Sequence, residues 1–128
     1  MIDNDLSAYI LPKDLLAHFT IRSLEEVNDF KGGKMTIEIH LDEKNTLPVG
    51  VEKGEYESKG FSKESRIQDF PIRGKAVYLL IRKRRWRHRQ SGKQITNSYN
   101  LSAQGSRMTE ELSDFLKGTG RDPRRYDQ

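Results

Sequence analysis

The chain has 128 residues, of which 33% are charged and 34% hydrophobic, and it carries a net charge of +4 with no cysteine. That length suits one domain with a lean core, and the missing thiols exclude disulfides and thiolate metal sites. No stretch of about 18 apolar residues is present, which excludes a hydrophobic membrane-spanning helix. The first residues are acidic and lack the basic segment of a signal peptide, so a cytoplasmic location is expected.

Charge is distributed unevenly. Residues 1–70 hold 14 Asp or Glu against 9 Lys or Arg, and residues 71–128 hold 5 against 14. No acidic residue occurs from Phe70 to Thr109. An acid-free stretch of that length points to an anionic partner, with part of its field spent on the acidic half.

In chain order, Leu6, Tyr9, Ile10, Leu15, Leu16 and Phe19 recur at helical spacing, and Pro12 with Asp14 starts the helix proper near residue 12. Residues 21–30 read as extended or as a short helical turn, because Ser23-Leu24-Glu25-Glu26 resembles a helix start. Lys31 to Lys34 is a turn without the spacing of a phosphate-binding loop. Met35 to Leu41 alternates, with Met35, Ile37, Ile39 and Leu41 on one face, which predicts a half-buried strand. A loop follows over 42–55, then a short strand over Glu55 to Phe61, and Ser62 to Phe70 is a connection or one further strand.

Residues 70–97 dominate the chain. A turn at Gly74 leads into the apolar run Ala76 to Ile81, which favours a strand and then a hairpin broken at Ser91-Gly92. Six of the eight residues from Arg82 to Arg89 are Lys or Arg, with Trp86 and His88 between them. As a strand, the first half is apolar on both faces and is expected to be buried. The second half is cationic on both faces and is expected to project as an arm carrying one aromatic wedge, suited to a polyanion. The alternative is a solubilising strand end, or a face paired to the acidic half. Arg107 to Lys117 reads as a helix with Met108, Leu112, Phe115 and Leu116 as its stripe and Thr109 as its cap, stopped by Gly118; residues 119–128 form a polar tail.

Signs of catalysis are sparse. His18, His40 and His88 are far apart, no His-x-x-x-His or Gly-x-Ser-x-Gly pattern occurs, and Glu52, Glu55 and Glu57 read as a solvated face. The chain is expected to be neither an enzyme nor a cofactor-binding protein, and to hold no metal.

The order of Ile67-Gln68-Asp69-Phe70-Pro71-Ile72-Arg73-Gly74-Lys75-Ala76-Val77, then Arg84-Arg85-Trp86-Arg87-His88, then Arg107-Met108-Thr109-Glu110-Glu111-Leu112 resembles the N-terminal region of insertion-sequence transposases. More narrowly, it resembles the Cys-free, ISAon-type variant of that zinc-ribbon-like module. Leu11-Pro12-Lys13-Asp14-Leu15-Leu16 with His18-Phe19, and the strand Met35 to Leu41, also fit. The resemblance covers most of residues 9–118 and implies one α+β domain over 1–118. That domain would be an antiparallel hairpin ribbon between an N-terminal and a C-terminal helix, followed by a flexible tail over 119–128. Only His88 stands at a former zinc-ligand position, its partner falls near Ser91, and no Cys or His occurs within 48–60. The resemblance therefore implies a metal-free ribbon held by an apolar core around Tyr56, Phe61, Phe70 and Tyr78.

The function implied is recognition of the element's ends in double-stranded DNA, with catalysis on another transposase chain or domain. Arg82, Lys83, Arg84, Arg85, Arg87, Arg89 and Lys93 would contact DNA, mostly at phosphates with one or two Arg at guanine edges, and Trp86 would stack or wedge. The alternative class is a non-catalytic accessory subunit that docks on a catalytic partner through its acidic N-terminal half. RNA binding is a third option, with Trp86 and Tyr78 stacking on unpaired bases.

Overall fold

The computed structural model describes residues 11–29, 34–99 and 107–118. Strands and helices follow in the order α1 (Lys13–His18), β1 (Phe19–Asp29), β2 (Lys34–Glu43), β3 (Tyr56–Phe61), β4 (Ser65–Ile72), β5 (Lys75–Arg82), β6 (Arg84–His88), β7 (Gln94–Ile95) and α2 (Glu110–Gly118). They build a small α+β structure with two sheets, one ordered β1-β2-β5-β4 and the other β3-β6-β7. Strands β2 and β5 pair in parallel; every other ladder is antiparallel. Leu6, Tyr9 and Ile10 of the expected N-terminal stripe, residues 31–33 of the expected turn at Lys31–Lys34, most of the expected loop before residue 107, and the tail over 119–128 lie outside the described residues, and Lys34 itself begins β2. Among the described residues no helix is long and apolar enough to cross a membrane.

The alternation in Met35–Leu41 sets the register of the larger sheet. Ile37, Ile39 and Leu41 face Val77, Leu79 and Ile81 across the parallel ladder, and Ile67 of β4 faces Leu79. All seven are buried. Because residues opposite one another share a face, these side chains form one apolar layer. Leu11, Leu15 and Phe19 cover it. Met35, at the strand's start, is exposed instead. Helix α1 has only six residues and no side-chain cap at Pro12. So short a helix is marginal in isolation, and burial of Leu15 and Phe19 is what holds it in place.

Residues 23–26 are strand, not helix. β1 pairs with β2 along its whole length, apart from a bulge between Ile21 and Ser23, and a continuous ladder outweighs a weak local helix-start signal. Helix α2 begins at Glu110, three residues after the expected start at Arg107 and directly after the expected cap at Thr109. Met108 makes a parallel bridge to Gln68, and Thr109 sits between bridge and helix. Met108, Leu112 and Leu116 are buried against Phe70, whereas Phe115 is exposed.

Strands β4 and β5 are joined by the two-residue turn Arg73-Gly74, with φ of 53° and 76°. Positive φ at both positions is the hairpin geometry that matches the twist of adjacent strands.

Tyr56, Phe61, Phe70 and Tyr78 do not form the expected core; all four are half-buried. The Arg66 guanidinium lies 3.7 Å from the Tyr78 ring centre, and those of Arg82 and Arg84 lie 4.4 and 4.7 Å from that of Phe61. Tyr78 and Phe61 serve as platforms for cations, whereas Tyr56 packs on His88 and Phe70 against α2; the aliphatic layer of the larger sheet fills the interior instead.

Candidate nucleic-acid interface

The basic run does not project as an arm. It leaves the larger sheet at Arg82, breaks at Lys83, and continues as β6, the central strand of the smaller sheet. The end of β2 meets this crossing with two adjacent carboxylates. Asp42 accepts two hydrogen bonds from Arg82, Nε to Oδ1 and Nη2 to Oδ2, both 2.7 Å. The Arg82 hydrogen bond holds the Asp42 carboxyl below its usual value, reinforced by the charges of Arg82, Arg22 and Arg84 against the cost of burial.

Glu43 is 1% exposed. Its Oε1 accepts the Arg84 backbone N–H at 2.8 Å, and its Oε2 accepts from Asn97 Nδ2 at 2.8 Å and from the Tyr99 hydroxyl. Arg84 Nε also donates to the Glu43 carbonyl at 3.1 Å. A buried carboxylate satisfied this fully acts as a joint between the two sheets. Burial raises the Tyr99 pKa, as do its hydrogen bond to Glu43 and that carboxylate's charge, so the hydroxyl remains a donor. Lys83 Nζ reaches the Asn97 carbonyl at 3.4 Å. Arg82, Lys83 and Arg84 are thus engaged within the fold.

Pairing in the smaller sheet sorts the remaining cations by face. Tyr56 opposes His88, Ser58 opposes Trp86, and Trp86 opposes Ile95. Glu57, Arg87 and Gln94 form a row on the other face, which the strand period also assigns to Arg85. Arg87 Nη1 and Arg89 Nη1 approach the two oxygens of Glu57 at 3.7 and 3.8 Å, which places Arg89 on that side too. Arg85 is exposed and donates only to the Lys59 carbonyl, at 3.2 Å, among the contacts described. Lys93 is exposed beyond the following turn.

Trp86 is 6% exposed. An indole so buried packs the inner face of the smaller sheet, so it cannot be the wedge expected from its place among cations. A groove beside it is lined by Thr46, Lys53, Tyr56, Trp86 and Arg89.

His88 and Ser91 meet in the turn after β6. His88 Nδ1 accepts the Ser91 backbone N–H at 3.1 Å and lies 3.0 Å from its Oγ. Ser91 Oγ in turn accepts the Lys93 N–H at 3.3 Å. His88 also exchanges backbone bonds with Gly92 and Lys93, at 2.9 and 2.8 Å, and packs edge-on to Tyr56. Hydrogen bonds close this turn. Nε2 has Glu55 at 3.8 Å; one imidazole and one distant carboxylate fall well short of four zinc ligands.

Asp42, Glu43 and Glu57 were legible only as acidic residues of a loop or solvated face. Glu55 and Glu57, which the sequence reads as a solvated face, instead lie beside His88, Arg87 and Arg89; the acidic balance of residues 1–70 is the signal that some of the basic charge is met internally. Comparison with protein-family models, curated proteins and solved structures finds no match to the chain.

Proposed function

We propose that this chain is a DNA-binding module of the insertion-sequence transposase type, recognising element ends while catalysis resides on another chain or domain. The observation that carries this reading is the sorting of β6: Trp86 turns inward, and Arg85, Arg87 and Arg89 share the outward face with Lys93 nearby. Two guanidiniums on one face of β6 and a third just past the strand's end, with a single carboxylate between Arg87 and Arg89, suit the phosphates of a duplex, and Arg is the side chain that also reads guanine edges. The smaller sheet with its His88–Ser91 turn is read as a zinc-ribbon-like hairpin in which hydrogen bonds replace the metal.

About four phosphate contacts, from Arg85, Arg87, Arg89 and Lys93, give a slope of log affinity against log salt of roughly −3.6. The test is a binding titration of duplex DNA at several salt concentrations with the wild type and the Arg85→Ala/Arg89→Ala variant. The variant is expected to keep its melting temperature, bind more weakly and flatten the slope by up to about 1.8. Equal affinity and slope in a folded variant would instead favour an accessory subunit that docks on a protein. Preference for single-stranded RNA over duplex would favour the RNA reading.

A further inference from the structure

The outer face of the larger sheet, opposite the apolar layer, carries a cluster that the histidine spacing in the sequence does not show. Glu38 and His40 lie two apart on β2 and share that face, and Glu25 of β1 is directly opposite Glu38 in the ladder. Like charges directly opposite in an antiparallel pair repel each other. Here the imidazole sits beside them. His40 Nε2 is 3.7 Å from Glu25 Oε2 and 3.8 Å from Glu38 Oε1. The three candidate donor atoms all lie within 4.8 Å of one another.

His40 Nε2 is fully buried and has no hydrogen-bond partner among the described residues. Both carboxylate oxygens are too far for a hydrogen bond. On the other side of the ring, Nδ1 is 3.4 Å from Glu64 Oε1, which also accepts from Arg22 Nη2 at 3.1 Å. A carboxylate can only accept, so a proton on Nδ1 satisfies Glu64 and leaves the Nε2 lone pair aimed between Glu25 and Glu38. The other tautomer has Nδ1 accepting from Arg22 Nη2 at 3.3 Å and turns an N–H toward the two carboxylates, so metal binding requires the first.

We propose that Glu25, Glu38 and His40 bind a divalent transition-metal ion, with Glu64 orienting the imidazole. One nitrogen and two oxygens suit ions of the zinc or manganese type rather than a soft, thiolate-preferring metal. At ligand distances of about 2.1 Å, each of the two His40–carboxylate gaps subtends roughly 125° at the ion, wider than the tetrahedral angle, so the side chains would close in on the ion as it binds, with solvent completing the site. The ion would screen the Glu25–Glu38 repulsion and tie β1, an edge strand, to β2. Asp42 is engaged by Arg82, and Arg22 bridges Asp42 and Glu64, so the neighbouring charges are already matched without using these three donors. The site is separate from the His88 turn and independent of the DNA-binding proposal.

The test uses the full chain, stripped with chelator and dialysed, then titrated with zinc chloride by calorimetry and by thermal melting, with magnesium chloride as comparison. The expected result is one equivalent of zinc bound with a Kd below about 100 μM, and a melting temperature raised by about 10 °C at a hundredfold excess over Kd. His40→Gln and Glu38→Gln should each weaken binding at least tenfold, with the chelated proteins still folded by circular dichroism. His88→Gln and His18→Gln should bind as the wild type does. If His40→Gln does not fold, Glu38→Gln and Glu25→Gln decide. The proposal is overturned if stripped wild type takes up no stoichiometric zinc, if magnesium binds as well, or if the His88 variant, not those of the cluster, loses the ion.

Discussion

Thr109 Oγ1 donates a 2.8 Å hydrogen bond to Asp69 Oδ1, with both residues buried and 40 positions apart in the chain. Around this bond, the Gln68 N–H donates to the Arg107 carbonyl at 2.7 Å and the Thr109 N–H to the Gln68 carbonyl at 2.8 Å. The same hydroxyl accepts the Leu112 N–H at 3.4 Å and so caps α2. One side chain joins β4, at Asp69, to the start of the helix. Asp69 is buried because it opposes Val77 on the apolar face of the sheet.

Thr109→Val removes the cap and leaves a buried carboxylate short of a donor, and should cost about 2–3 kcal/mol. Burial raises the Asp69 pKa, opposed by the hydrogen bonds from Thr109 and the Phe70 backbone. A carboxyl whose folded pKa exceeds its unfolded value binds protons more tightly when folded. Its contribution to stability therefore falls as pH rises from the unfolded value toward the raised one. Asp69→Asn should remove that dependence. Urea melts of the wild type and both variants across acid to neutral pH would show it; a wild-type profile that Asp69→Asn leaves unaltered would count against it.

The Asp42–Arg82 pair acts in the opposite sense. Its lowered carboxyl pKa, caused first by the Arg82 hydrogen bond, adds stability that is present above the unfolded value of 3.8 and lost as pH falls through the folded one. Asp42→Asn should cost about 1–2 kcal/mol at neutral pH, since the pair is partly solvated. The deficit should shrink in acid. A deficit constant from neutral pH down to about pH 2 would mean that packing, not charge, is what Asp42 supplies.

Arg73 occupies the left-handed region at the first turn position, where Asn is preferred. Arg73→Asn should stabilise the fold by about 0.5–1 kcal/mol. Equal or lower stability in denaturant melts would show that the Arg side chain compensates for its backbone.

Trp86→Ala should behave as a core truncation, costing about 3–5 kcal/mol. Exposed Arg85, by contrast, should tolerate alanine within about 0.5 kcal/mol. Thermal melts separate the two residues before any DNA is added. A Trp86 variant as stable as wild type would return the indole to the surface.

The sequence alone determined the strand at Met35–Leu41, the apolar strand and basic run that follow each other from Ala76, and the amphipathic helix near Met108. Each is a local periodicity, set by where successive side chains point. It also showed that positive charge gathers in the second half. Only the tertiary structure decided what that charge does. The alternation of Arg84, Arg85, Trp86 and Arg87 separates two faces but does not say which is inward; the ladders to Ser58 and Ile95 turn Trp86 in and leave Arg85 and Arg87 out. Likewise Asp42 and Glu43 lie about 40 residues from Arg82 and Arg84, and Glu25 meets His40 only because a bulge after Ile21 sets the register between β1 and β2. Ladder registers depend on which strands pair across long chain separations. One-residue slips would exchange every face, and no local pattern in a strand as polar as β1 or as cationic as β6 forbids that slip.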